Sequence, residues 1–166
     1  MIKKLFYKIC WQLSKALNLK SINKNLAILN LEKLYDKIRN EKKDDLILFG
    51  YKVFSQSDED GIIEEIFERI SVQNKYFIEI GIQDGKECNT TNLLFQNWKG
   101  IWIEKDNKYA IKAQNNFKKY LNNIKIINEG ANIDNINDLI LTNLGSEKIE
   151  VDLLSIDIGL NNYHVL

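Results

Sequence analysis

The chain has 166 residues, 45% of them apolar, and its 23 Lys and Arg are matched by 23 Asp and Glu, which is the composition of one globular domain with room for an extension. Zero net charge lacks the basic excess that phosphate binding leaves, so nucleic acid is excluded as the main partner. Cys10 and Cys88 stand far apart in no metal-ligand spacing, which argues against a disulfide framework or zinc site and for a reducing cytoplasm.

Residues 1–43 are basic, with only Glu32, Asp36 and Glu41 on the acidic side. Two helices are expected there. Ile2, Leu5, Phe6, Ile9, Leu13, Ala16 and Leu17 recur at three- and four-residue steps, and Leu26, Leu29, Leu34, Tyr35 and Ile38 do the same. Ser21 or Asn23 is the expected cap of the second, and each helix should carry one apolar and one basic face. The first residues resemble a signal peptide, but Lys8 interrupts the apolar stretch and no small-residue cleavage site follows, which points away from export. No apolar run approaches the roughly 20 residues of a membrane span. Residues 2–20, with Phe6 and Trp11 among lysines, suit either peripheral contact with an anionic membrane or packing on the protein.

Residues 44–57 read as a connector. Ser57 or Asp58 should cap a helix from Glu59 that turns Ile62, Ile63, Ile66, Phe67 and Ile70 to a core. Then the period changes. Tyr76–Ile80 is a short apolar run ending at Gly81, a buried strand. A helix over 89–97, capped by Asn89 or Thr90, leads to a second strand over 100–104. Asp106 should cap a helix to about Tyr120. Residues 124–127 form a third strand, 134–144 a helix started by Asp134, and 151–157 a fourth strand. Strands alternating with helices predict an α/β fold: a Rossmann-like, three-layer parallel sheet with right-handed crossovers. The expected division is a helical extension over 1–45 and a partial α/β domain over 46–166. Sheets of this kind continue beyond a fourth strand. The expectation is therefore a fragment, or a chain whose missing strands come from a partner, a homo-oligomer being one such arrangement.

Ligands of parallel α/β sheets sit at the carboxyl ends of the strands, beside the switch point. The loop Gly81-Ile-Gln-Asp-Gly85 leaves the first strand there, and its glycines let backbone approach a ligand. Glu79 is a carboxylate in an apolar strand and needs a partner, such as the amino group of a ligand. NAD would require G-x-G-x-x-G, and Gln83 and Lys86 occupy the second and third glycine positions. Taken alone, the loop is equally an ordinary strand-to-helix turn. Glu104 ends the second strand 23 residues after Gly81, where an acid can accept two ribose hydroxyls.

These segments also carry a family resemblance. Phe54-Ser-Gln-Ser-Asp-Glu-Asp-Gly-Ile-Ile63, Tyr76-Phe-Ile-Glu-Ile-Gly-Ile-Gln-Asp-Gly85, Asn89-Thr-Thr-Asn-Leu-Leu94, Trp98-Lys-Gly-Ile-Trp-Ile-Glu104 and Leu153-Leu-Ser-Ile-Asp-Ile158 resemble, in that order, the FkbM-type methyltransferases, in particular a bacterial subgroup. The resemblance covers about residues 50–165. It implies a class I methyltransferase fold that binds S-adenosylmethionine and transfers its methyl group to a hydroxyl of a small-molecule acceptor such as a sugar or glycan. Glu79, Gly81 and Gly85 match the first cofactor motif, and Glu104 the ribose-binding acid. Asp157 matches the acid facing the transferred methyl, which makes it the implied catalytic residue. Gln56 and Asp60 match a segment that folds over the cofactor, unless they merely cap a helix, and Asn132 is placed to meet adenine. The subgroup's "Asp-Gly-Asn-Asp-Tyr" is replaced here by Gly159-Leu-Asn-Asn-Tyr163, which removes two acids near the reacting hydroxyl. A base is usually needed there; Asp157 remains, and His164 is the only histidine. The departure favours, as the alternative, a truncated and non-catalytic module that binds the cofactor and needs a partner chain.

Overall fold

The computed structural model describes residues 12, 13, 15, 19–144 and 149–159, those at 19 and 20 without their side chains. Cys10, Asn161, Asn162, Tyr163, His164 and nearly all of the expected first helix and its membrane-facing surface lie outside the described residues. The chain divides into two compact units, 1–48 and 49–166.

In the first unit, α1 spans Leu19–Glu41. Ser21 and Asn23 lie inside it and are not caps. Its apolar residues do not share one face. Ile22, Leu26 and Leu29 form one stripe; Leu31, Leu34 and Ile38 form another, about 140° further round at 3.6 residues per turn. Leu26 is 54% exposed and Leu34 52% exposed, one in each stripe. No helix among the described residues is long and apolar enough to cross a membrane.

The second unit is an α/β fold. Its elements run α2 (Glu59–Arg69), β1 (Tyr76–Ile80), α3 (Thr91–Phe95), β2 (Lys99–Ile103), α4 (Asn107–Asn116), β3 (Ile124–Ile127), α5 (Ile136–Leu144) and β4 (Leu153–Ile156). The four strands are parallel in the order β3-β2-β1-β4. Ile80 pairs with Ile103 on one side and Ile156 on the other, so the carboxyl ends of three strands are level. The chain adds β2 and β3 on one side of β1, then crosses back to lay β4 on the other. The switch point therefore lies between β1 and β4.

Alternation along the strands splits the core in two. Phe77, Trp102 and Ile124 meet Leu93, Leu94, Ala113 and Phe117, with Ile63 and Phe67 packed on them. Ile78, Ile80, Ile101 and Ile103 meet Ile136 and Leu139 of α5. Helices thus cover both faces, giving three layers. Each fully buried aliphatic side chain contributes about 2 kcal/mol, so the sheet is the principal stabilising element.

Several local expectations are corrected. Asp58 stands at the N-cap of α2 but makes no capping hydrogen bond. Glu59 reaches back instead and accepts from the Ser57 N–H at 2.8 Å. Ile70 ends up past the helix, 53% exposed. Asp106 caps α4 as expected, accepting from the Lys108 and Tyr109 N–H groups. Asn132, not Asp134, organises the start of α5: its Oδ1 accepts from the Asp134 N–H at 2.8 Å and the Asn135 N–H at 3.1 Å.

Candidate functional site

Two clefts open at the carboxyl ends of the strands. The larger, of about 590 Å³, runs past Glu104, Asp106, Tyr109, Glu129 and Ala131. The smaller, of about 290 Å³, is lined by Glu59, Glu79, Asp84, Glu87, Cys88 and Asn89. Gln56, Gly81, Gln83 and Asp157 belong to both and form the seam between them. The site thus sits at the switch point, where α/β sheets bind ligands.

Glu104 follows β2 directly and is 5% exposed. One carboxylate oxygen accepts from the Gln83 N–H at 2.7 Å, the other from the Asp106 N–H at 2.8 Å. These bonds fix the carboxylate between the loops that follow β1 and β2. A carboxylate offers about four lone-pair positions, so each oxygen keeps one acceptor position for a ligand in the larger cleft.

Glu79 behaves differently. It is 3% exposed, in register with Trp102 and Ser155 on the neighbouring strands. One oxygen accepts from the Asn89 N–H at 3.0 Å and the Ser155 hydroxyl at 3.3 Å. The other accepts from the Thr90 N–H at 3.0 Å and the Thr90 hydroxyl. The donors extend outward: Trp102 Nε1 donates to Thr90 Oγ1 at 2.8 Å, and Asn89 Nδ2 to Ser155 Oγ at 3.1 Å. All four acceptor positions are filled by the chain itself. The partner expected from a ligand's amino group is supplied by Asn89, Thr90 and Ser155, and Glu79 is the tie between β1, α3 and β4. Burial pushes its carboxyl above the ordinary value, against the pull of Thr90, Asn89 and Ser155. Thr90, expected as a helix cap, makes no capping bond because its hydroxyl serves Glu79.

The two glycines are explained by packing more than by ligand approach. At Gly81 φ is +89°, and a Cβ would lie 2.0 Å from the Asp157 carbonyl oxygen. The glycine lets β4 close on β1 while its backbone faces both clefts. At Gly85 φ is +80°, and a Cβ would meet Phe117 at 2.7 Å and Trp102 at 2.8 Å. Gly85 lines neither cleft; its missing side chain makes room for the edge-to-face pair of Trp102 and Phe117, whose ring centroids are 4.8 Å apart.

Asp60 also lies outside the clefts. It is 2% exposed, and its Oδ2 accepts from the Val53, Phe54 and Ser55 N–H groups and the Ser55 hydroxyl at 2.7–2.8 Å. It thereby winds residues 53–55 around the first turn of α2 and holds Gln56 at the seam. Asn132 is committed to the start of α5 and lines neither cleft, whereas its neighbours Glu129 and Ala131 line the larger one. Asp157 lies one residue beyond β4, exposed, with its N–H donating to the Ile80 carbonyl at 2.8 Å. Five of the eight expected residues thus reach the clefts: Gln56, Glu79, Gly81, Glu104 and Asp157. Sequence reading missed Gln83, Asn89, Thr90 and Ser155. The signal for the last three was the buried acid, whose partners had to come from somewhere.

The smaller cleft also holds the Cys88 thiol, 4% exposed, which donates to the Ile82 carbonyl at 3.2 Å. Burial raises its pKa, and the charge of Glu79 adds to the effect. It is a poor nucleophile in this setting. Among the described residues, no three His, Cys, Asp or Glu side chains are grouped to hold a metal ion. No protein-family model matches the chain, and no curated protein matches it.

Proposed function

We propose that the second unit binds S-adenosylmethionine and serves an FkbM-type O-methyl transfer to a hydroxyl of a sugar or another small molecule. The observation that carries this reading is Glu104. A buried carboxylate at the end of the strand beside β1, fixed by two backbone N–H groups and still open to the larger cleft, suits the two neighbouring hydroxyls of a ribose. The charge of the site supports the same choice. S-adenosylmethionine carries a sulfonium and an ammonium against one carboxylate, and the smaller cleft is lined by Glu59, Asp84, Glu87 and Asp157 besides the internally bonded Glu79. A dinucleotide would bring a pyrophosphate against those acids.

The chemistry this cofactor supplies when bound is an electrophilic methyl group. The chain's own part is to orient an acceptor in line and take up its proton. Asp157, exposed on the seam of both clefts, is the residue for that proton. Gln56 and Gln83 line the same seam and offer donors and acceptors to the reacting groups.

Titration calorimetry tests the binding step. Heat with S-adenosylmethionine and S-adenosylhomocysteine is expected, and none with NAD. Heat with NAD alone would overturn the reading. A second reading is favoured by Gly159. The resemblance expects an acid after Ile158, and the chain has a glycine at φ +81°. On that reading the unit binds the cofactor without turning it over and needs a partner chain for catalysis. Binding without release of S-adenosylhomocysteine in the presence of hydroxyl acceptors would support it.

A further inference from the structure

The apolar stripe on the second half of α1 is broader than Leu31, Leu34 and Ile38 alone. At about 100° per residue, Ile28 and Tyr35 fall beside them, and these side chains share an arc of about 120°. Ile28, Leu31, Tyr35 and Ile38 follow one another at steps of three, four and three, the spacing of a seam between two paired helices. The stripe is uncovered among the described residues: Ile28 is 43% exposed, Leu31 53%, and Leu34 and Tyr35 52% each. Most helical stability comes from packing such a face, so the stripe calls for a partner. Charge narrows the choice. From Ile28 to Ile38, Glu32 and Asp36 match Lys33 and Lys37, so this stretch carries none of the basic excess of residues 1–43 and offers no match to an anionic surface. A lipid surface would also cover one side of the helix only, and the stripe of Ile22, Leu26 and Leu29 lies about 140° away.

We propose that this stripe is the interface with a second copy of the chain, the two α1 helices packing antiparallel about a two-fold axis at the height of Lys33. With the axis there, Ile28 meets the partner's Ile38 and Leu31 meets the partner's Tyr35, and each contact occurs twice. Charge decides the orientation. Glu32 and Arg39 flank the stripe on the same side, about 20° apart around the helix. In an antiparallel two-fold pair, each side of the stripe faces the same side of the partner's stripe. Glu32 then stands opposite the partner's Arg39, and Arg39 opposite the partner's Glu32. A parallel pair would bring the other flank across instead, setting both charges against Ala27 and Leu34. The stretch is therefore complementary to itself in one orientation. This inference does not depend on the cofactor reading above.

Sedimentation equilibrium on the full chain tests the interface. Wild type is expected to be a reversible dimer and Leu31→Glu a monomer. Leu31 is exposed in the single copy, so glutamate there leaves the fold standing. Ile22→Glu, on the opposite stripe, should dimerise as wild type does. Glu32→Lys turns two attractions into repulsions and should weaken the dimer about ten-fold. Arg39 is left in place because its Nε also donates to the Leu48 carbonyl at 2.7 Å. Disulfide formation in the Cys10→Ser background reads the orientation, since Cys88 is buried. A mixture of Ile28→Cys and Ile38→Cys chains should form a mixed disulfide. Ile28→Cys alone should form none, because two such residues would stand about 15 Å apart along the helices, beyond the reach of a disulfide. A wild type that stays monomeric at about 1 mM overturns the proposal. Co-sedimentation with phosphatidylglycerol vesicles would then give the stripe to lipid, and its absence would give it to another part of the same chain. A dimer that survives Leu31→Glu, ignores Glu32→Lys, or links Ile28→Cys to itself overturns it too.

Discussion

Replacing Glu79 with alanine removes the acceptor of four donors at once. The two hydroxyls can turn: Thr90 Oγ1 still accepts from Trp102, and Ser155 Oγ from Asn89 Nδ2. The Asn89 and Thr90 amides are held by the start of α3 and cannot follow. Each stranded buried N–H costs about 1–3 kcal/mol, so the two together cost about 4 kcal/mol. Glu79→Gln keeps one acceptor oxygen and strands one amide, for about half that loss. The second variant matters because total stability is only about 5–15 kcal/mol and the alanine protein can approach its limit. Urea unfolding followed by tryptophan fluorescence reads both; Trp98 and Trp102 lie in the affected core. At a slope of about 2 kcal/mol per molar, the midpoint should fall by about 2 M for alanine and about 1 M for glutamine, with the slope unchanged. A fall below about 0.5 M for alanine would refute the reasoning, because water or a shifted loop would then be satisfying the amides.

Further outcomes follow from the same geometry. Burial holds the Glu79 carboxyl above its ordinary 4.5, so the native state keeps a proton the unfolded chain has lost. The stability this contributes is complete below 4.5 and declines as pH rises through the folded value. The wild-type advantage over Glu79→Gln in urea should therefore shrink with rising pH, and growth would contradict it. Gly81→Ala places a Cβ 2.0 Å from the Asp157 carbonyl oxygen. It should cost about 3 kcal/mol and speed hydrogen exchange at the Asp157 amide, which an unshifted β4 would not show. Glu104→Gln should weaken S-adenosylhomocysteine by about 2 kcal/mol, near thirty-fold; equal affinity by calorimetry would remove Glu104 from the ribose site. Cys88, buried with a raised pKa, should resist iodoacetamide in the folded Cys10→Ser protein. Rapid labelling seen by mass spectrometry would contradict its burial.

The parts of the fold legible in the sequence were those set by local pattern. Four apolar runs became four parallel strands: β1 and β2 are buried along nearly their whole length, while the edge strands β3 and β4 expose Lys125 and Leu154. Asp106 capped α4 because it is the one strong cap before that helix. Where several cap-forming residues crowd together, local pattern does not choose. Asn132, Asp134 and Asn135 all compete at the start of α5, and Asn132 takes the role because its Oδ1 reaches two N–H groups. The single apolar face expected of α1 fails because three- and four-residue steps hold within Ile22–Leu29 and within Leu31–Ile38, while the two runs lie on different sides of the helix. The partners of Glu79 were hidden for another reason: Ser155 is 76 residues away, and only the β1–β4 register brings it alongside.

Glu79 and Glu104 sharpen what such motifs can say. Both acids lie at the ends of adjacent strands, both are buried, and sequence reading gave both to the ligand. The structure separates them by counting acceptors. Glu79 has its four positions taken by three residues of the chain, whereas Glu104 has two taken and faces an open cleft. The same division runs through the rest of the pattern: Asp60, Gly85 and Asn132 lie outside the clefts and hold their walls in place, and Gln56, Glu104 and Asp157 face the clefts. A variant at a wall residue will lose stability and binding together and cannot report on the ligand. A variant at Gln83 leaves every wall contact in place, because the backbone N–H that serves Glu104 survives any non-proline substitution. That makes the seam, more than the motif glycines and acids around it, the place where a change in binding reports on the ligand.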